Sequence, residues 1–133
     1  MMQLLVVNQP PTVNVITNIN RGSKQKAGRI KSKWTNAISQ AAMQQNLQPF
    51  VAEIWILIEF TYKSALSDPD NLYGSLKPVF DGLVKAEIIK KDTVQIIKSP
   101  QLFSYKKGDD RIVKIWMFDD KKEWSDAVKT FLL

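Results

Sequence analysis

Residues 50–62, FVAEIWILIEFTY, carry the clearest secondary-structure signal in the chain. Every second residue from Phe50 to Tyr62 is apolar, while the residues between them mix apolar, polar and charged side chains. Successive side chains of a strand point to opposite faces of a sheet, so this alternation predicts a strand with one buried and one half-covered face.

The rest of the chain divides at prolines, glycines and polar stretches. In chain order, the predicted elements are a strand at 2–7, a helix at 30–47, the strand at 50–62, a helical segment at 69–89, strands at 93–105 and 111–118, and a terminal helix at 124–132. Residues 12–29 are predicted as a loop, and Pro49 is expected to end the first helix. Pro78 lacks an N–H and is expected to kink the second helical segment.

The element order predicts the fold class. The glycine-containing turn at 106–110 predicts an antiparallel hairpin between the last two strands. The order β-α-β-α-β-β-(α) predicts a single α/β (α+β) domain, with a mixed four-stranded sheet packed with two main helices.

The composition restricts the chemistry that is open to this protein. The 133-residue chain has no histidine and no cysteine, which excludes imidazole bases, thiolate nucleophiles and zinc sites built from those residues. Any catalysis is therefore expected to use carboxylates with a hard, oxygen-binding metal. No stretch approaches the roughly 18 apolar residues of a membrane helix, and the lack of cysteine fits a reducing compartment. We expect a soluble, cytoplasmic protein.

The net charge of +6 comes from one segment. Its six cations, with no acid among them, are Arg21, Lys24, Lys26, Arg29, Lys31 and Lys33. A localised basic segment is typical of nucleic-acid binding, and we predict that this one contacts phosphates. The alternative is a solvated arm that only aids solubility.

A second segment concentrates acids in a stretch that is otherwise typical of an apolar helix. Its charged residues of interest are Asp68, Asp70, Lys77, Asp81 and Asp92. On a straight helix, at about 100° per residue, Asp70, Lys77 and Asp81 share one stripe opposite the apolar face. This pattern indicates a candidate active site.

A purely structural interpretation of the same residues is also open. Asp68 before Pro69 is a good helix N-cap. Lys77 and Asp81 have the spacing of a surface ion pair, and Asp92 lies in a turn, where aspartate is common.

The motif Asp68-Pro69-Asp70-Asn71-Leu72, followed by Leu76-Lys77-Pro78-Val79-Phe80-Asp81-Gly82-Leu83 and by Asp92, resembles the signature of the RusA family of Holliday junction resolvases. Pro10-Pro11-Thr12-Val13-Asn14 is similar to the family's amino-terminal element, and the resemblance extends from about Val7 to Phe118. Two features differ. The lysine follows the second aspartate at a longer interval than in the better-known members, and the turn carries one carboxylate where the family often has two.

The resemblance implies a Mg²⁺-dependent endonuclease, with Mn²⁺ expected to substitute, that cleaves four-way DNA junctions. It implies that Asp68, Asp70 and Asp92 bind the metal. Lys77 would stabilise the charge that develops at the phosphate, and Asp81 would either bind the metal or orient Lys77. The family is frequent in phages and prophages, so the implied setting is a bacterial cell. The alternatives are a DNA-binding protein without catalysis and a metal-dependent phosphatase or nuclease for a small substrate.

A homodimer is expected because a four-way junction has approximate two-fold symmetry and requires two opposing nicks. The sequence offers two apolar surfaces for the dimer contact. One is the half-covered strand face with Trp55 and Leu57, and the other is the helix at 124–132.

Overall fold

The computed structural model describes residues 1–11, 22–63 and 68–132. Its elements are β1 (Met2–Asn8), α1 (Lys24–Gln44), β2 (Trp55–Tyr62), α2 (Pro69–Gly74), α3 (Lys77–Lys85), β3 (Leu102–Lys107), β4 (Ile112–Phe118) and α4 (Lys121–Leu132). Within these ranges the strands form one mixed sheet in the order β1-β4-β2-β3, in which only β2 and β3 are parallel. The predicted single α+β domain with a mixed four-stranded sheet is confirmed. None of the described helices is both long and apolar enough to span a membrane.

Both faces of the sheet are covered by helices, and β2 contributes to both cores. One row across the four strands packs with α1, α2 and α3, and consists of Leu5, Ile115, Ile58 and Phe103. The row on the opposite face packs with α4, and includes Trp116, Leu57 and Leu102. Ile58 and Phe60 are fully buried, whereas Glu59 on the other face is half-buried. The predicted division into a buried face and a half-covered face is confirmed for this strand, but the strand begins at Trp55 and not at Phe50 as predicted.

The predicted antiparallel hairpin is wrong. β3 and β4 are not neighbours, because Ile58 of β2 is paired with Phe103 on one side and with Ile115 on the other. The chain leaves β2, passes through α2 and α3, and returns as β3. Such a helical crossover is the connection that parallel strands require. The strand also begins at Leu102, and not at Thr93 as predicted.

Helix α1 begins earlier than predicted, so residues 24–29 are helical and not part of a loop. The hydroxyl of Ser23 caps the helix by accepting a hydrogen bond from the Lys26 N–H at 3.1 Å. Ala27 is fully buried, so the apolar face of the helix already starts within the basic segment. Arg21 and residues 12–14 of the family-like element lie outside the described residues.

The end of α1 is set by Asn46 and not by Pro49. Asn46 adopts a left-handed φ of 58°, and the Leu47 N–H donates to the Ala42 carbonyl at 3.0 Å. This is the Schellman arrangement, which ends the helix at Gln44.

The predicted helical segment 69–89 is two helices, with Ser75 and Leu76 between them. Pro78 has no N–H to donate to the carbonyl of Gly74, so the α-helical ladder is interrupted one turn before the proline. The Ser75 hydroxyl donates to the Leu72 carbonyl at 2.6 Å and so satisfies one acceptor at the break. The prediction of one kinked helical segment is corrected, because the interruption before Pro78 separates two helices and the second ends at Lys85.

Helix α4 begins at Lys121, three residues before the predicted start, and covers the half-apolar face of β2. Trp124 donates its indole N–H to the Ile56 carbonyl at 2.9 Å and is 6% exposed, while Leu57 is 2% exposed. The two surfaces that were expected to be available for a dimer therefore cover each other within one chain. The expected dimer surfaces are corrected here, because packing the two apolar surfaces against each other removes both from water within one chain.

Candidate active site

Close packing of α3 on α1 fixes the position of Asp81. Its neighbour Gly82 is buried at the helix contact. A Cβ atom at position 82 would lie 2.5 Å from Ile38 Cβ and 2.9 Å from the Thr35 carbonyl oxygen. These separations are far below van der Waals contact, so the helix contact requires glycine here.

Asp92 is placed by the turn that follows α3. Glu87 adopts a φ of 61°, and the Ile88 N–H donates to the Leu83 carbonyl at 2.9 Å, which ends the helix in a second Schellman arrangement. Ile88 and Ile89 are then buried in the main core at 3% and 2% exposure. The segment that carries Asp92 is thereby anchored beside α3.

The ammonium group of Lys77 joins the two acids. Lys77 Nζ lies 2.8 Å from Asp92 Oδ2 and 3.1 Å from Asp81 Oδ1. We name Lys77, Asp81 and Asp92 the lysine cluster. Its side chains are 69%, 39% and 27% exposed, respectively, so it is a surface cluster.

The charges of the lysine cluster stabilise one another. The hydrogen bond to Asp92, followed by the one to Asp81, raises the pKa of Lys77 above its usual 10.5. The hydrogen bond from Lys77 lowers the pKa of Asp92 below its usual 3.8. Lys77 is therefore cationic and Asp92 anionic across the neutral range.

The other two acids lie at the start of α2, and we name them the N-terminal pair. Asp68 is the N-cap residue, and its Oδ1 accepts a hydrogen bond from the Asp70 N–H at 3.0 Å. Both residues are exposed, and neither forms an ion pair with any residue that the structure describes. The helix dipole favours carboxylates at this end.

The structure thus brings together only part of the predicted site. Lys77, Asp81 and Asp92 are in contact, but neither Asp68 nor Asp70 pairs with Lys77. In the described ranges, no three acidic side chains form a group that could hold a metal ion. Metal binding by Asp68, Asp70 and Asp92 stays a prediction.

An aromatic cluster next to Asp70 was missed by the sequence reasoning. The hydroxyl groups of Tyr105 and Tyr73 are hydrogen-bonded to each other, and the rings of Tyr73 and Phe103 lie 4.5 Å apart. The ring of Phe60 lies 6.2 Å from that of Tyr73. The one signal in the sequence is that Tyr73 follows Asp70 by three residues, which places the two on the same side of a helix.

The described basic residues separate into two groups on α1. At about 100° per residue, Lys26, Arg29 and Lys33 lie within about 60° of one another, and all three are exposed. We name these three the basic stripe. Lys24 and Lys31 are also exposed, but they lie about half a turn away around the helix.

Comparison with known proteins leaves the family open. A scan of the chain against protein-family models finds no match, and a search of curated proteins finds no similar sequence. The resemblance to the RusA family therefore rests on the motif residues alone.

Proposed function

We propose that this chain is a Mg²⁺-dependent endonuclease that cleaves four-way DNA junctions in the bacterial cytoplasm during recombination and repair. The observation that carries the proposal is the lysine cluster, in which Lys77 contacts an acid of its own helix and an acid 15 residues further along the chain. These are the residues whose motif resembles the RusA signature. A lysine that is held by carboxylates at the surface is well placed to meet a phosphodiester.

The donor chemistry fits a divalent metal. Asp68, Asp70 and Asp92 offer only carboxylate oxygens, which are the ligands that Mg²⁺ prefers. The described residues do not bring the three acids into one group, so these residues would hold the ion only after moving closer together. When bound, Mg²⁺ supplies charge neutralisation at the phosphate and activation of the attacking water. The N-terminal pair has no cation partner in the described residues, so a metal ion would not have to displace one there.

Lys77 acts on the phosphate in this proposal. It is 69% exposed, and an exposed ion pair contributes only about 0–1 kcal/mol. Moving Nζ from Asp92 to a phosphate oxygen therefore costs little. Asp81, one helical turn away, stays in contact and orients the side chain, so we assign it the orienting role rather than that of a metal ligand.

The basic stripe is proposed to bind the phosphate backbone of the DNA. Each phosphate contact contributes about −0.9 to the slope of log affinity against log salt. Replacing Lys26, Arg29 and Lys33 by alanine should flatten the slope by about two to three units on that scale. The matched control replaces Lys24 and Lys31, which lie on the other side of α1. An equal change in both variants would reassign the segment to a general solubilising role.

A homodimer is proposed on symmetry grounds, because two identical sites related by a two-fold axis match a four-way junction. The contact surface must differ from the face that α4 covers. Sedimentation at micromolar concentration should give roughly twice 15.2 kDa. A monomer that still makes paired nicks would contradict this part of the proposal.

A non-catalytic DNA-binding protein is the second candidate. Two observations favour it: no three acids form a group in the described residues, and Asp92 is already neutralised by Lys77. Such a protein would bind junctions through the basic stripe without cutting them.

The deciding experiment uses a labelled four-way junction and a linear duplex of the same sequence, with Mg²⁺ and with EDTA. The endonuclease proposal expects paired nicks in the junction with Mg²⁺ only, and little cutting of the duplex. Junction binding without cleavage under either condition would favour the non-catalytic protein.

A further inference from the structure

We propose that Tyr73 and Tyr105 form a stacking platform for an unpaired nucleobase of the DNA, beside Asp70. The inference rests on the proposed function, because it names the part of a branched DNA that this face recognises. It assigns specificity to two residues that the motif does not include.

The two rings form a supported surface. Tyr73 and Tyr105 are 38% and 41% exposed, which is high for large aromatic side chains. Their hydroxyl groups are hydrogen-bonded across α2 and β3. Behind them, the fully buried ring of Phe60 is stacked with Tyr105 at 6.2 Å, so the outer rings cannot fold inwards.

The platform adjoins the proposed site. Tyr73 lies three residues after Asp70 on α2, on the same side of the helix. Burial is the main cause that raises the pKa of Tyr105, but the hydrogen bond to Tyr73 and the charge of Asp70 add to it. The carboxylate therefore lies within electrostatic reach of the ring.

Strand β3 also offers a cation, Lys107, that could contact the phosphate of the same nucleotide. Lys107 is exposed and lies two residues after Tyr105, so it is on the same face of the strand at about 6.5–7 Å. Asp109 and Asp110 lie beyond it, in the turn. A ring followed by a lysine offers a base and its phosphate separate partners, which is the arrangement found in proteins that bind single-stranded nucleic acid.

The occupant is an unpaired base rather than duplex DNA. Bases inside a duplex are stacked on both faces and cannot meet a tyrosine ring without being unstacked. At a branch point, a base can leave its stack at a small free-energy cost. Stacking tolerates every base, so the platform would recognise branching and not sequence.

The test measures binding of a four-way junction with 2-aminopurine at the branch point, in EDTA to prevent cleavage. The variants are Tyr105→Leu and Tyr73→Leu, with Tyr105→Phe and Tyr73→Phe as matched controls that keep the ring and lose the hydroxyl. We expect each leucine variant to bind the junction about tenfold more weakly and to lose quenching of the 2-aminopurine fluorescence. The phenylalanine variants should behave like wild type, and affinity for a linear duplex should change less than twofold.

Leucine variants that bind and quench like wild type would overturn the inference, as would an equal loss on the linear duplex. Thermal melting establishes that each variant folds, and the two leucine variants are independent, so one that melts early leaves the other to decide. The same variants are also tested on a single-stranded oligonucleotide that carries 2-aminopurine. If wild type bound that strand with quenching but did not distinguish the junction from the duplex, the proposed function would fail while the stacking inference held.

Discussion

The two groups of carboxylates in the candidate site lie in different electrostatic settings. In the lysine cluster, Asp81 and Asp92 share the ammonium group of Lys77 at 3.1 and 2.8 Å. In the N-terminal pair, Asp68 and Asp70 are exposed, and the Asp70 N–H donates a hydrogen bond to the Asp68 carboxylate.

This difference separates two roles that the motif alone cannot separate. Acids that already hold a lysine gain less from a metal ion, since the lysine neutralises them. Acids with no lysine partner among the described residues gain more. We therefore expect the N-terminal pair to dominate metal affinity, and the lysine cluster to control where Lys77 meets the phosphate.

The largest effects are expected on the rate of junction cleavage, in two single variants that each neutralise an acid of one group. Asp68→Asn should reduce junction cleavage on the order of 100-fold or more, because it removes a charged ligand of the proposed Mg²⁺. Its stability should be unchanged, since asparagine caps helices as well as aspartate. Asp81→Asn should reduce cleavage less, because it removes a group that orients Lys77 but no proposed metal ligand. Single-turnover rates on a bound junction test this order, and equal losses would break the distinction.

Gly82→Ala should destabilise the fold by about 1–3 kcal/mol, because the added Cβ meets Ile38 and the Thr35 backbone. This cost exceeds the gain of up to about 1 kcal/mol from replacing glycine within a helix. Gly28→Ala on α1 is the matched control, because a Cβ there meets nothing within 4 Å and should stabilise the helix. Urea unfolding measures both. A stable Gly82→Ala variant would mean that α3 is not held on α1 as described.

Lys77→Met should raise the affinity of the DNA-free protein for Mn²⁺ about fivefold, which corresponds to the roughly 1 kcal/mol between unit charges 4 Å apart in water. The reason is that Asp81 and Asp92 lose their internal cation. Lys85→Met is the control, because Lys85 lies on the same helix but contacts Asn36 instead of an acid. Calorimetric titration gives both affinities. An unchanged affinity in Lys77→Met would show that the cluster does not compete with the metal.

The smallest effect concerns pH. The pKa of Asp92 is lowered on folding, so its contribution to stability is present above pH 3.8 and is lost as the pH falls through the folded value. The pKa of Lys77 is raised, so its contribution is present below pH 10.5 and is lost as the pH rises through the folded value. The free energy of unfolding of wild type should exceed that of Asp92→Asn by at most about 1 kcal/mol, since the ion pair of Lys77 and Asp92 lies at the surface.

Unfolding free energies of the two proteins from pH 2 to 12 test this window. The difference should be constant at neutral pH and shrink at both ends. Asp110→Asn, an exposed acid in the turn after β3, should show no such window. A difference that grew at acid pH would contradict the ion pair.

Local patterns in the sequence predicted the local features of the fold. The alternation from Phe50 to Tyr62 predicted the two faces of β2, and the pattern Asp68-Pro69 predicted an N-cap that the structure contains. Pro78 predicted a disturbance of the second helical segment, although as a kink and not as the break that the structure contains. Each of these depends on neighbouring residues only.

The failures depend on contacts between distant segments. The turn after β3 has the composition of a hairpin, but whether another strand lies between β3 and β4 is decided by the crossover through α2 and α3. The contact of Tyr73 with Tyr105 joins residues 32 positions apart, and no local pattern marks it. The start of α1 at Lys24 is not predicted, although Ser23 and Ala27 are local signals, because residues 12–29 are rich in Asn, Thr, Gly and Lys and lack a helical period.

The central claim is that the N-terminal pair serves metal-dependent cleavage of branched DNA. The most direct measurement compares wild type with Asp70→Asn on a labelled four-way junction in Mg²⁺, at concentrations where both proteins bind it fully. We expect paired nicks from wild type, a loss of cleavage on the order of 100-fold or more in the variant, and equal affinity for the junction. Cleavage by Asp70→Asn at the wild-type rate would contradict the claim.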